Sequence, residues 1–326
     1  MPAEGRKLSL SPQKYETMQL RASLSDRTPY RKFLIVVGLT LIGAVLFTAI
    51  GTVLSNLLFG INMTGDASIL DQVGNTSLAN AFRLFQGLAA IGTFILPAWA
   101  ASYFFSLDTP AYLGITQKPA GVQIAGLLVL LIAAIPFINW MMQVNGSMNL
   151  PAGLKDLQDW MAMTEAQAAK ITTLLLGSTG VSDLLINLIV IAIIPAIGEE
   201  LLFRGVIQKL FTELANSKAF AIVFTAILFS ALHMQFFGFL PRFALGVMLG
   251  FLYVWSGSLW VPITAHFINN AMAVILTWCM KRGIINFNPD TIGIQPGQEG
   301  ILAASVFLTW AILWWLKKQW VAQFRG

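Results

Sequence analysis

Charged side chains are scarce in this sequence. Asp, Glu, Lys and Arg make up 11% of its 326 residues, whereas they make up about a quarter of an ordinary soluble domain. Hydrophobic residues account for 56%. Several apolar runs approach the roughly 20 residues that a helix needs to cross the hydrocarbon core of a bilayer. The composition therefore excludes an ordinary soluble domain and predicts an integral membrane protein.

Cysteine is nearly absent. Cys279 has no partner in the chain, which excludes an internal disulfide framework and a cysteine-rich zinc site. No nucleic-acid-binding motif is present, and the net charge of +5 is concentrated towards the two ends of the chain. Because such charge favours contact with anionic headgroups, the expected partners are membrane lipid and a membrane-tethered peptide or protein. The oligomeric state is left open.

The apolar runs predict an all-α fold, a polytopic membrane helix bundle of about eight transmembrane helices. The predicted spans are residues 33–58, 82–105, 121–143, 181–214, 219–239, 241–256, 260–280 and 299–316.

The domain organisation follows from the charge pattern. Residues 1–32 carry seven Lys or Arg residues and lack the apolar core of a signal peptide, which predicts a cytosolic N-terminal tail. Residues 33–326 then form one multi-pass membrane domain. The positive-inside rule places both termini in the cytosol.

The first cluster of polar residues inside a predicted span is the run PAIGEELLFRGVIQ at 195–208. Glu200 and Arg204 are four residues apart on one helix face, where they can form an ion pair. Glu199 points to another face and is left available for proton transfer. Taken alone, the run is equally typical of a cytosolic helix end where these side chains meet water.

The two histidines of the chain lie in two further predicted spans. Phe229 and His233 are four residues apart in the fifth span, and His266 and Asn270 are four apart in the seventh. A single intramembrane histidine is more often a satisfied core residue, and an asparagine there often contributes only about 1 kcal/mol of helix association. Ionisable groups on three membrane helices together are costly and indicate a shared site.

The depths of the two histidines conflict with straight helices. In the predicted spans His233 and His266 differ in depth by about 10 Å at the rise of an α-helix. We therefore expect tilt, a kink or a different helix end near Gly238, Pro241 or Pro262.

The three polar elements together resemble the CPBP intramembrane protease family, also called Abi, which includes the type II CAAX prenyl endopeptidases. The family pattern is EExxxR, then FxxxH, then HxxxN or HxxxD. In this chain it is matched in order by residues 199–204, 229–233 and 266–270. The resemblance covers about residues 181–280 and, through bacterial members of the family, implies a bacterial inner-membrane protein.

The resemblance implies an endopeptidase that hydrolyses a peptide bond of a membrane-associated substrate, such as a prenylated CaaX-type peptide. Glu199, aided by His233, would activate water, and His266 with Asn270 would stabilise the oxyanion. The supporting residues would be Glu200, Arg204 and Phe229.

A metal is the open question of this mechanism. The family is named for metalloprotease activity, and Glu199, His233 and His266 are residue types that could hold Zn²⁺ with one position open for water. The two histidines lack the HExxH spacing that places two zinc ligands on one helix. A metal-free glutamate mechanism is therefore the competing interpretation.

Two other functions compete with the protease. A transporter is expected to show inverted repeats, and the front half of the chain has no second EExxxR-like segment. A non-catalytic binding or immunity protein of the same fold would be expected to lose one motif residue, and none is lost. The sequence therefore favours the enzyme.

Overall fold

A computed structural model describes residues 20–63, 67–72 and 74–323. Residues 1–19 of the predicted tail lie outside the described residues. Throughout the described part of the chain the regular structure is helical and no strand is present, which confirms the all-α prediction. Seven of the described helices are long and apolar enough to cross a membrane. The protein is a polytopic helical bundle.

We number the principal helices in chain order. They are α1 (Pro29–Phe59), α2 (Thr76–Phe105), α3 (Thr109–Leu113), α4 (Gly121–Gly146), α5 (Lys155–Leu175), α6 (Val181–Ala215), α7 (Lys218–Ala231), α8 (Phe236–Ser256), α9 (Trp260–Lys281) and α10 (Glu299–Gln323).

A capping asparagine and a proline set two helix starts that the apolar runs alone do not show. The side chain of Asn75 accepts a hydrogen bond from the backbone N–H of Leu78 at 3.1 Å, so α2 begins at Thr76 rather than at residue 82. The helix α1 begins at Pro29, since the missing N–H of proline costs nothing in the first turn.

The prediction of a fifth span over 219–239 was wrong. The helix α7 has 14 residues, or about 21 Å, too short for a core of about 30 Å. The chain then turns, with Met234 at a φ of 55°, and α8 follows. The first residues of α8, Phe236–Gly238, form a 3-10 turn and its α-helical part begins at Phe239, so Pro241 lies in the first α-helical turn, where proline is tolerated. The residues before α8 are therefore used for a turn, although their apolar pattern continues that of α7.

The helices α7 and α8 form an antiparallel hairpin. Ser230, near the end of α7, donates to the carbonyl of Phe239 at 2.8 Å. Farther along, the missing Cβ of Gly246 lets α8 approach the backbone of Ala226. The two helices therefore pack against each other as one unit.

The helix α9 starts inside the protein, which removes the expected conflict in depth. Leu259, the residue before it, is fully buried and donates its N–H to the carbonyl of Gly114 at 2.8 Å. His266 lies early in its helix yet deep in the molecule. It can therefore meet His233, which lies just beyond the end of α7.

No span is predicted between residues 143 and 181, yet the structure has the helix α5 there. This helix is largely exposed, and its Trp160 ring packs against that of Phe236 with a centroid distance of 5.4 Å. The sequence did not predict this helix because its composition is polar. The helix α5 contacts the bundle through few side chains and has no continuous apolar face.

Proline also shapes the long helices. A π-helical turn, Leu188–Ile193, precedes Pro195 in α6, and another, Ile91–Ile95, precedes Pro97 in α2. Proline removes one backbone donor and crowds the carbonyl four residues before it, and a wider turn accommodates that loss. The third π-helical turn, Phe203–Ile207, contains Arg204. Such turns are frequent at functional sites.

A close crossing of α1 and α2 gives a prediction for stability. A Cβ atom on Gly43 would lie 2.0 Å from the carbonyl oxygen of Gly92, whereas one on Gly38 would meet nothing within 4 Å. We expect Gly43→Ala to lower the free energy of unfolding by about 1–3 kcal/mol. Gly38→Ala should leave it unchanged or raise it by up to about 1 kcal/mol. Reversible unfolding in detergent measures both; equal effects would contradict the crossing.

Candidate functional site

The structure brings all the predicted site residues into one region. The helix α6 carries the two glutamates and the arginine, α7 and the turn after it carry the FxxxH element, and α9 carries the HxxxN element. The residues are Glu199, Glu200, Arg204, Phe229, His233, His266 and Asn270.

A buried ion pair forms the base of the site. Arg204 donates from Nη1 to Glu200 Oε1 at 2.7 Å, and both side chains are fully buried. Arg204 also donates to the carbonyl of Gly246 on α8 at 2.9 Å. The same Glu200 oxygen accepts from His266 Nδ1 at 2.9 Å. Glu200 therefore joins α6 to α9, and Arg204 joins α6 to α8.

Phe229 lies at the centre of this arrangement. Its ring centroid is 4.9 Å from that of His233 and 5.8 Å from that of His266. The guanidinium carbon of Arg204 lies over the same ring at 4.8 Å, within the range of a cation–π contact. Phe229 is 1% exposed, so its ring excludes water from one side of both histidines.

The two histidines direct the same nitrogen towards Glu199. The Nε2 atoms of His233 and His266 each lie 3.9 Å from Glu199 Oε2. His233 Nδ1 lies 2.7 Å from the carbonyl of Phe229, which can only accept, so Nδ1 carries the hydrogen. His266 Nδ1 donates to Glu200 in the same way. In neutral rings both Nε2 atoms are therefore acceptors that face a carboxylate.

Glu199 itself has an unusual environment. The residue is 8% exposed, and its Oε2 atom has no hydrogen-bond partner among the described residues. A separation of 3.9 Å is too long for a direct hydrogen bond and is of the size that one shared water can bridge. Three acceptor atoms thus converge on a position suited to a donor.

The prediction that His233 lies on a membrane helix was wrong, because it lies in the turn between α7 and α8. Irregular backbone at membrane depth must have its polar groups satisfied by protein or water. The start of α8, directly after this turn, is held from two sides. On one side, Asn145 of α4 donates to the carbonyl of Phe236 at 3.1 Å and accepts from the N–H of Leu240 at 2.6 Å. On another, Glu165 of α5 accepts from the N–H of Phe237 at 2.8 Å.

Asn145 should therefore affect the site through the turn that carries His233. We expect Asn145→Leu to lower the free energy of unfolding by about 1–3 kcal/mol and, in the fraction that remains folded, to reduce the peptide cleavage that the family resemblance implies. Asn139, on the same helix, is the matched control, because it donates to Pro289 and Ile292 carbonyls at 2.8 and 3.0 Å in a distant loop.

Measurements of unfolding and of cleavage on both variants separate the two effects. Asn139→Leu should lose similar stability without a further loss of cleavage. Equal residual activity per folded molecule in the two variants would show that Asn145 has no specific effect on the site.

Asn270 has a structural contact that the motif does not reveal. Its amide donates to the carbonyl of Ile191 at 3.2 Å and accepts from Asn269 at 3.1 Å. Ile191 lies four residues before Pro195, which has no N–H to give it. One amide hydrogen of Asn270 therefore supports the π-helical turn of α6, and the other is left for a ligand.

A cavity of about 410 Å³ opens on Glu199, Phe229, both histidines and Asn270. Sequence reasoning did not assign three further polar residues that line it: Gln86 of α2, Asn269 of α9 and Arg242 of α8. Arg242 lay inside a predicted span, where a charged side chain is itself a signal of function. Gln86, a polar residue in an apolar run, gave a weaker form of the same signal.

The donor types at the site suit zinc, but the spacing does not. Ligands at about 2.0–2.1 Å in a tetrahedral site lie about 3.4 Å from one another, and the histidine nitrogens lie 3.9 Å from Glu199 Oε2. No group of three His, Cys, Asp or Glu side chains within residues 20–63, 67–72 and 74–323 is placed to hold a metal ion. The described geometry does not fit a resident zinc ion.

Comparison with known proteins confirms the resemblance that the motifs indicate. Residues 181–272 match the family described as "Type II CAAX prenyl endopeptidase Rce1-like". The matched segment runs from the start of α6 into α9 and includes all seven site residues. Neither Asn145 nor Glu165, which hold the His233 turn, falls within it.

Two proteins of Bacillus subtilis (strain 168) align with parts of the chain. One, "Uncharacterized protein YpbD", is 36% identical over 90 residues, which cover 26% of this chain and 43% of that protein. The other, "Putative membrane peptidase YdiL", is 34% identical over 89 residues, covering 27% of this chain and 36% of that protein. The alignments thus span less than half of either relative. No solved structure matches the chain.

Proposed function

We propose that this chain, whose residues 181–272 are similar to the Rce1-like endopeptidases, is an intramembrane endopeptidase. It hydrolyses a peptide bond of a membrane-associated substrate. One observation carries the proposal above the others: the buried Glu199 Oε2 atom has no hydrogen-bond partner among the described residues, and two histidine Nε2 atoms face it at 3.9 Å. That arrangement suits a base that takes a proton from water.

In the proposed reaction Glu199 and His233 accept hydrogen bonds from one water molecule. The water oxygen attacks the carbonyl carbon of the substrate while its proton moves to Glu199. The free amide hydrogen of Asn270, and His266 when Nε2 also carries a proton, donate to the developing oxyanion. When the C–N bond breaks, the proton on Glu199 passes to the leaving amine.

The other contacts keep these groups in position. Glu200 accepts from His266 Nδ1 and leaves its Nε2 atom directed at the cavity. The carbonyl of Phe229 does the same for His233. Fixing one ring nitrogen in this way sets the tautomer and orientation of the other, so little reorganisation is needed when charge develops.

The substrate is proposed to be tethered to the membrane. The site lies among helices long enough to span it, and its cavity has apolar walls that include Val190, Pro195, Leu245 and Ala273. A prenylated CaaX-type peptide is one substrate of this class. We also propose that both termini face the cytosol, because Lys and Arg crowd the two ends of the sequence.

Cleavage of a membrane-tethered peptide library by the purified protein in lipid tests this function. The wild type should release products that Glu199→Gln and His233→Ala do not, and a chelator should leave the rate unchanged. Inhibition by the chelator that added Zn²⁺ reverses would replace the water-only mechanism by a metal mechanism. A broad library left intact by folded wild-type protein would support the non-catalytic binding or immunity function instead.

A further inference from the structure

The cavity contains a cation that the proposed reaction does not use. Arg242, on α8, lines the cavity together with Glu199 and His233. Its Nη1 atom donates to the carbonyl of Gln235 at 2.8 Å, and its Nη2 atom contacts the Gln235 side-chain oxygen. Both partners are neutral. They belong to the turn that holds His233, so the guanidinium lies beside the proposed reacting groups.

Arg242 differs from the two buried arginines of the bundle. Arg204 has Glu200 at 2.7 Å, and Arg83 has Asp183 at 2.6 Å. No carboxylate within the described ranges 20–63, 67–72 and 74–323 comes within 4.0 Å of Arg242. The carboxylate that acts electrostatically on Arg242 is that of Glu165. Its Oε2 atom already accepts a hydrogen bond from the N–H of Phe237.

A guanidinium in a membrane-spanning segment without an ion-pair partner is costly. Arginines at membrane depth almost always pair or face a water-filled cavity, and an unpaired one is by default a candidate functional group. A guanidinium has five N–H donors, and Gln235 engages two of its nitrogens. The remaining donors suit an anion with planar geometry.

We propose that Arg242 binds a carboxylate of the substrate and so selects substrates with an anionic group close to the scissile bond. This inference rests on the proposed function, because it concerns the same cavity. A carboxylate matches the fork of the guanidinium and can accept two parallel hydrogen bonds. It can belong to the C-terminus of the substrate or to an acidic side chain, and the experiment distinguishes these sources.

The test measures binding rather than cleavage. The protein carries Glu199→Gln, which is expected to bind without turnover, and is reconstituted in lipid nanodiscs. The probes are three N-palmitoylated, fluorescent apolar hexapeptides: one with a free C-terminal carboxylate, one with a C-terminal carboxamide, and one carboxamide with a central Asp. We expect one carboxylate probe, or both, to bind about 10- to 100-fold more tightly than the carboxamide probe, as for a hydrogen-bonded charged group.

Two variants of different kinds should both abolish that preference. Arg242→Gln removes the cation. Gln235→Glu leaves Arg242 in place but gives it an internal carboxylate at the atom that its Nη2 already contacts. Arg242→Lys should keep part of the preference. Arg282→Gln, which alters an exposed arginine over the Trp278 ring, should keep all of it.

Each outcome bears on one proposal separately. Equal binding of the three probes, or no measurable binding of any, overturns the assignment of Arg242, as does a preference that survives both Arg242→Gln and Gln235→Glu. A carboxylate preference without cleavage of the same peptides by the wild type keeps the binding site but contradicts the protease. Cleavage without the preference contradicts the role of Arg242 alone.

Discussion

Glu199→Gln is expected to lower the rate of peptide cleavage by about 10²- to 10⁴-fold, the usual contribution of a positioned general base. Glutamine has nearly the same shape as glutamate but cannot accept the proton that the attacking water must lose. The two histidine Nε2 atoms at 3.9 Å would still hold water, but without the carboxylate they are weaker substitutes. We therefore expect kcat to fall more than KM changes.

The fold should survive this change. Glu199 Oε2 has no hydrogen-bond partner within the described part of the chain, so replacing the carboxylate removes a buried charge rather than a contact. Glu213→Gln makes the same substitution at an exposed position of the same helix and should leave both cleavage and stability unchanged. Comparable cleavage by the two variants, at equal folded fraction, would exclude Glu199 as the base.

The membrane class and the site motifs could be predicted from the sequence because each depends on local chemistry. Long apolar runs must be helical in a bilayer, and four of the predicted spans, 33–58, 121–143, 181–214 and 260–280, match observed helices to within about one turn at either end. Ionisable residues in such runs are costly enough to indicate function. Glu199, His233 and His266 therefore stood out before any geometry was known.

The turn at His233 could not be predicted in the same way. Residues 232–239 continue the apolar pattern of α7, and the contacts that hold the chain where α8 begins come from α4 and α5, far away in sequence. Asn145 and Glu165 look like surface residues of a polar connection when the sequence is considered alone. Their importance appears once the backbone of the turn needs partners.

The sequence did not indicate a function for Arg242, for a different reason. It follows Pro241, near the predicted start of a span, where a cation is usually taken as an interfacial residue that reaches the headgroups. The hairpin of α7 and α8 places that start beside the cavity that Glu199 and His233 line instead. The function of this arginine therefore depends on a helix end that the apolar pattern obscured.

Arg204→Met is expected to have the largest effect on stability, lowering the free energy of unfolding by about 3–5 kcal/mol. The substitution keeps an unbranched side chain but leaves the fully buried Glu200 carboxylate without its guanidinium. It also removes the donor to the Gly246 carbonyl and the contact with the Phe229 ring. Arg282→Met, at an exposed arginine, should change the stability by less than about 0.5 kcal/mol.

A double substitution distinguishes the cost of leaving the Glu200 carboxylate unpaired from the contribution of the ion pair to the free energy of unfolding. Glu200→Gln with Arg204→Met removes both charges, so the protein should lose less stability than the sum of the two single changes. Purely additive losses in reversible unfolding would mean that the two side chains do not act as a pair. Even where stability is partly restored, cleavage should stay low, because His266 loses the ionised carboxylate that accepts from its Nδ1 atom. The ion pair would then be required to orient the histidine rather than to hold the helices together.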